Sequence, residues 1–184
     1  RWTSISICGN KLGEIHLETI AVYREERVKV YGISKLFGIS LGILTFPTEH
    51  IGKCTELLQT LETLASKFEL ITLQSAKPPA ITLHLLYVNN SEPSRNETIQ
   101  SWLADNPDSG FTVQHPVDLL FLHGPHFQDR DGIAEIAFSA LKMQSIRALV
   151  VGCAGTSMYI VLPQGQGPIA HHILTETFLI PTSK

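Results

Sequence analysis

Imidazoles, thiols and hydroxyls are the groups in this sequence that could carry chemistry, and each can be tested against the spacing that its chemistry needs. Eight histidines invite a metal reading, above all His123-x-x-His126 and the adjacent pair His171-His172. A closed zinc site needs four ligands in a tetrahedron. His123 and His126 fall on a loop with no two further ligands beside them, and neighbouring residues on a helix point apart, so no metal is expected. Ser157 and Cys153 could be nominated as nucleophiles, but no nucleophile-elbow sequence surrounds them and no base with an orienting group accompanies them. No catalytic residue and no cofactor are expected. Cys8, Cys54 and Cys153 form no C-x-x-C pair and cannot all be disulfide-bonded within one chain, which reads as buried free thiols. The stretch Gly165-Gln166-Gly167-Pro168 is too short for a phosphate-binding signature.

The scaffold comes next. At 184 residues, 43% hydrophobic and 17% charged, the chain lies near the globular average. Its formal charge of −3 is spread without a basic stripe, which excludes the phosphate neutralisation that nucleic-acid binding relies on. The longest apolar runs, such as residues 119–122 and 148–151, are strand-sized, far short of the roughly 20 residues that cross a bilayer. Neither a membrane nor nucleic acid is expected as a partner, and with no signal-peptide pattern at the start the expected location is cytoplasmic.

One pattern occurs twice. In the second copy, residues 117–122 read as a strand and 123–130 as a loop. A helix follows from about Asp131 to Gln144, with Ile133, Ile136, Ala137, Ala140 and Leu141 on one stripe. Residues 147–152 and 158–162 make a hairpin, Pro168 suits a first helical position with Ile169, Ile173 and Leu174 as the apolar stripe, and 178–180 can close the unit. In the first copy, residues 40–46 are a strand and about 50–67 a helix carrying Ile51, Cys54, Leu57, Leu58, Leu61, Leu64, Ala65 and Phe68. Strands at 69–74 and 80–88 follow, then a helix opened by the capping box Ser94-x-x-Glu97, and a last strand at 111–113. The order is β-α-β-β-α-β both times. The expected fold is therefore α+β, two ferredoxin-like units with antiparallel sheets over residues 39–115 and 116–184. Before them, residues 14–24 and 27–33 read as an N-terminal hairpin within residues 1–38.

Each unit would place its helices on one sheet face. The other face must then be covered, and the unbroken apolar runs 119–122 and 148–151 suggest pairing with another copy, so a homodimer is expected.

The second copy resembles the tandem ACT regulatory region at the C-terminal end of aspartokinases. The likeness runs through residues 124–140 (GPHFQDRDGIAEIAFSA), Ser145-Ile146-Arg147-Ala148, 152–157, Tyr159-Ile160-Val161-Leu162-Pro163 and 171–178. In the first copy Gly52 stands where the family has its loop glycine, and Phe68-Glu69-Leu70-Ile71-Thr72 resembles its "VDLIT" strand. The resemblance covers about residues 40–178 and includes no counterpart of the kinase domain. It implies a non-catalytic regulatory module that binds a small amino acid at an ACT–ACT interface; the other readings are an ACT-type assembly scaffold without ligand, or a fragment of a larger amino-acid-regulated enzyme. Carried over by position, the ligand residues are Glu49, His50, Gly52, Glu69, Gln74 and Ser75 in the first unit, and Gln128, Asp129, Asp131, Gly132 and Ile133 in the second. A helix N-terminus supplies unpaired N–H groups for the carboxylate, and an acid such as Glu69 takes the ammonium. Residues 74–79 (QSAKPP) lack the acid that the lysine-responsive pattern places after the serine, so the resemblance does not carry lysine specificity. The acids Glu49, Glu69, Asp129 and Asp131 also read as solvated loop residues or caps, Asp131 being a fitting N-cap.

Overall fold

The computed structural model describes residues 27–64, 67–75, 79–88, 93–124 and 132–181. Six strands form one antiparallel sheet in the order β2-β3-β1-β4-β6-β5. The strands are β1 (Gly32–Pro47), β2 (Leu70–Ser75), β3 (Ala80–Tyr87), β4 (Gly110–His123), β5 (Val150–Ala154) and β6 (Ser157–Pro163). Four helices accompany them: α1 (Ile51–Thr63), α2 (Pro93–Ala104), α3 (Ile133–Met143) and α4 (Gln166–Thr177).

The two central strands are longer than the sequence suggests. β1 pairs with β4 along two stretches, residues 32–36 with 119–123 and residues 41–45 with 110–114, separated by register shifts on either side of Ile39. Gly38 sits in this irregularity at φ +69°, a conformation that costs a residue with a Cβ. The expected strands at 111–113 and 117–122 are one strand, β4, with a cis peptide at His115–Pro116 between its two paired stretches.

The expected closing strand at 178–180 is not part of the sheet. Leu179 bridges Lys29 in parallel, through Val30 N–H to Leu179 O and Leu179 N–H to Val28 O, both at 3.0 Å. The place beside residues 119–123 is taken by residues 32–36 of β1, which fall within the expected N-terminal extension, residues 1–38. The hairpin's first arm, residues 14–24, lies outside the described residues.

Helix stripes follow the 3.6-residue period, with corrections at their ends. On α1 the buried residues are Cys54, Leu57 and Leu61, while Ile51 and Leu64 are exposed where the helix begins and ends. α2 starts at Pro93, whose fixed φ and missing N–H suit the first turn, so Ser94 lies inside the helix rather than capping it. α4 starts two residues before Pro168, and its buried stripe is Gly167, Ala170 and Leu174; Ile169 is exposed. The stripe moved because the glycine presses directly on the sheet, where a Cβ would stand 2.6 Å from the Cβ of Asp118.

Strand alternation gives the sheet two apolar faces. On one, Leu44, Phe46, Leu83 and Leu85 pack under α1 and α2, and Leu120, Leu122, Ile160 and Leu162 pack with α3 and α4. On the other, Ile39, Leu41, Leu86, Val117, Leu119, Val150, Tyr159 and Val161 form a third cluster, joined by Leu70, that draws on all six strands. Gln74 Nε2 on β2 donates to Val151 O on β5 at 3.2 Å, linking the two outermost strands of the sheet. The sheet thus folds back on itself and covers its second face from within the chain, with Leu41, Leu119 and Val161 at 0% exposure. The uncovered face from which a homodimer was expected is therefore already filled.

Candidate functional site

The end of β1 leads into the first group of expected ligand residues. After Pro47 the chain makes a 3-10 turn, Thr48–His50, held because Thr48 N–H and Oγ1 both donate to Pro79 O, at 2.8 and 2.7 Å. α1 starts directly from this turn with His50 at the N-cap and no side-chain cap, so its first N–H groups have no side-chain acceptor. Glu49 and Gly52 are exposed, and His50 is half-buried with Nδ1 out of solvent and without a hydrogen-bond partner. A Cβ on Gly52 would meet nothing within 4 Å, so packing within the chain does not require the glycine.

Three residues outside the expected ligand set, Lys53, Trp102 and Asn106, brace the start of α1. Lys53 Nζ donates to Asn106 Oδ1 at 2.9 Å, and Trp102 Nε1 donates to Lys53 O at 3.1 Å, fastening the start of α1 to the end of α2. Asn106 is 2% exposed and also donates from Nδ2 to Trp102 O. Its place in an Asn-Pro turn was the available signal.

The remaining first-unit residues do not all gather here. Ser75 pairs with Ile81 and Gln74 with Thr82, near the Pro47 end of the sheet, although the Gln74 amide is engaged with Val151 O. Glu69 is at the opposite end: its N–H donates to Leu86 O at 2.7 Å, and six residues of extended chain, about 20 Å, separate it from Ser75. Within one chain, Gly52 and Glu69 are not brought together.

In the second unit, Gln128, Asp129 and Asp131 lie outside the described residues. Gly132, not Asp131, is the N-cap of α3, at φ +89° with its carbonyl accepting from Ile136 N–H at 2.9 Å. Space for a Cβ is open there too, so the backbone conformation is what selects glycine. Ile133 is 1% exposed and belongs to the core; only its backbone could face a ligand.

His123, expected on a loop, is the last residue of β4. Its Nε2 and Nδ1 lie 2.9 Å from Ser34 Oγ and 3.0 Å from Ser157 Oγ, and its ring stacks on Phe121. Among the described residues no group of three or more His, Cys, Asp or Glu side chains could hold a metal. Cys54 is buried, which pushes its thiol up to about 11; Cys153, expected to be buried, is exposed, and partial desolvation still raises its thiol. An open groove of about 400 Å³ runs between α1 and α2, lined by residues including Glu56, Thr60, Ser101 and Asp105, none of them an expected ligand residue.

A buried carboxylate organises the other helix N-terminus. Asp118, 3% exposed, accepts from Gly38 N–H at 3.2 Å through Oδ1 and from Gly165 and Gly167 N–H at 2.9 Å through Oδ2. The N-terminus of α4 is thereby already occupied by an internal anion, while those of α1 and α3 have no side-chain cap among the described residues.

No family model and no curated protein matches the sequence. Solved structures do. The ligand-free regulatory subunit of aspartate kinase from Thermus thermophilus superimposes with a TM-score of 0.70 at 11% identity, covering 82% of this chain and 99% of that one. Aspartate kinase from Synechocystis gives 0.73 at 14% identity, covering 88% of this chain and 29% of that one. E. coli aspartokinase III, solved with lysine and aspartate, gives 0.56 at 16% identity over 88% of this chain and 36% of that one. No helix among the described residues is long and apolar enough to cross a membrane. The chain has the α+β fold of these aspartate kinase regulatory regions.

Proposed function

We propose that the chain is a regulatory module that binds a small amino acid and has no turnover of its own. The observation that supports this is the match over 99% of the regulatory subunit of an aspartate kinase. The sheet reads as two pseudo-repeated units, residues 39–115 and 116–184. They share their long strands: residues 110–114 of β4 close the first, and residues 32–36 of β1 close the second. α1 and α3, the first helix of each unit, offer N-termini without side-chain caps to a carboxylate. Glu69 is at the far end of the sheet from Gly52, so the two can meet one ligand only when different copies supply them. This favours a homodimeric site over one built within a chain, as does the outer edge of residues 110–114, which no strand among the described residues pairs.

A thermal-shift screen of the common amino acids tests the reading. A ligand held at a hundred times its Kd stabilises the native state by about 2.7 kcal/mol, and sedimentation with and without it reports the dimer. The absence of a shift for every amino acid at millimolar concentration would leave the assembly-scaffold reading in its place.

A further inference from the structure

We propose that the seam where β2 meets β5 is an acid-sensitive latch, opened when His84 takes up a proton. β2 and β5 are opposite ends of the sheet order and share no backbone ladder. They meet through a side-chain bond, Gln74 Nε2 to Val151 O. A seam of this kind separates at lower cost than a paired strand edge, and behind it lies the inner apolar cluster.

His84 stands beside that seam. It pairs with Thr72 across β2 and with Ile43 across β1, which puts it on the inner face with Leu86, Leu41 and Leu70, next to Gln74 on the neighbouring strand. It is 7% exposed, and its bond to Thr72 Oγ1 is long at 3.4 Å. An imidazolium here would need a carboxylate or water, since an unpaired buried charge is costly.

The described titratable and charged groups on the six strands supply no counter-charge. On β1, Lys35 is exposed over the Phe37 ring. On β2, Glu69 directly precedes the strand and alternates to the opposite face from Leu70 and Thr72. On β4, Asp118 is committed to the N-terminus of α4, His115 lies by Ser40, and His123 is held between Ser34 and Ser157. On β5, Cys153 alternates away from Val150, and on β6 the Tyr159 phenol is neutral in this range. Among the described residues no counter-charge faces it, so solvent admitted through the seam would hydrate the charge.

Desolvation lowers the proton affinity of folded His84 below the ordinary value of 6.5. The sign follows from linkage. A group with a depressed folded value binds more protons once its surroundings open, so the closed seam is favoured above about pH 6.5 and weakens as pH falls below it.

Hydrogen exchange of the whole chain at pH 7.5 and 5.5, corrected for the intrinsic pH dependence of exchange, tests this. Protection in β2 and β5 should fall toward pH 5.5, by at most about tenfold per pH unit because one proton is taken up, while α3 stays protected. His84→Gln should remove the pH response and His171→Gln should retain it. Gln74→Leu should lower seam protection already at pH 7.5. Unchanged wild-type protection between the two pH values, or a response that survives in His84→Gln, would overturn the proposal. If His84→Gln fails to fold, NMR titration of the wild-type imidazole decides: a midpoint at or above 6.5 overturns it, a lower one with concurrent seam opening supports it.

Discussion

Replacing Asp118 by alanine should be among the most damaging single changes in this chain. Its carboxylate receives three backbone N–H groups from two elements, Gly38 in the irregular part of β1 and Gly165 and Gly167 at the start of α4. At 3% exposure water does not take its place without rearrangement. Hydrogen bonds to a charged group contribute roughly 1.5–3 kcal/mol each. Relief of the buried charge and partial hydration of the Gly38 donor offset part of the total, leaving about 3–5 kcal/mol. For a chain of this size that is a fall in Tm of roughly 10 °C or more. Asp118→Asn keeps one oxygen for Gly165 and Gly167 but turns an NH2 toward Gly38, for an expected loss of about 2 kcal/mol. Urea denaturation measures both, with hydrogen exchange at residues 165–168 as the local readout. A loss under about 1 kcal/mol in Asp118→Ala, with exchange at α4 unchanged, would refute the view that this carboxylate ties the helix to the bend in β1.

Gly52→Ala should leave stability unchanged or raise it by up to about 1 kcal/mol, because the site is helical and open, so a loss of amino-acid binding in that variant reports on the ligand site alone. Gly132→Ala should cost about 1–2 kcal/mol by calorimetry, since its φ of +89° disfavours a Cβ. Gly152→Ala should destabilise by about 1–3 kcal/mol in urea, because its methyl would overlap the Tyr159 ring and hydroxyl. At pH 8 a thiol reagent should label Cys153 before Cys54, whose thiol is 3% exposed and pushed up to about 11; equal rates in the folded protein would contradict the burial of Cys54.

Much of the secondary structure is legible in the sequence, and its departures have identifiable causes. Apolar stripes such as Cys54, Leu57 and Leu61, or Ile133, Ala137 and Leu141, mark the buried faces because a helix on a sheet must hide one side. The capping box at Ser94 gives way to another local rule, Pro93 in the first turn of α2, whereas the stripe through Ile169 gives way to a tertiary contact, Gly167 lying flat on Asp118. Neither Asn106 nor Asp118 carried a spacing signal strong enough to show that it bridges elements 53 and 49 residues apart in sequence.

The candidate site was accessible to sequence only as positions. The glycines at 52 and 132 come from the family resemblance, and the structure distinguishes them by their backbone, one ordinary and one left-handed. That Gln74 is bound to β5 and that Glu69 stands about 20 Å along the strand from Ser75 depends on register, which one sequence does not specify across non-adjacent strands.

By itself, then, the sequence determined the alternation of strands and helices and the apolar faces, because these depend on periodicities of two and 3.6 residues along the chain. Only the tertiary structure decided that residues 32–36 belong beside 119–123 and that the sheet closes over its own second face. Those outcomes turn on a bend at Gly38 and on contacts between segments more than 70 residues apart, whose energies no local pattern encodes.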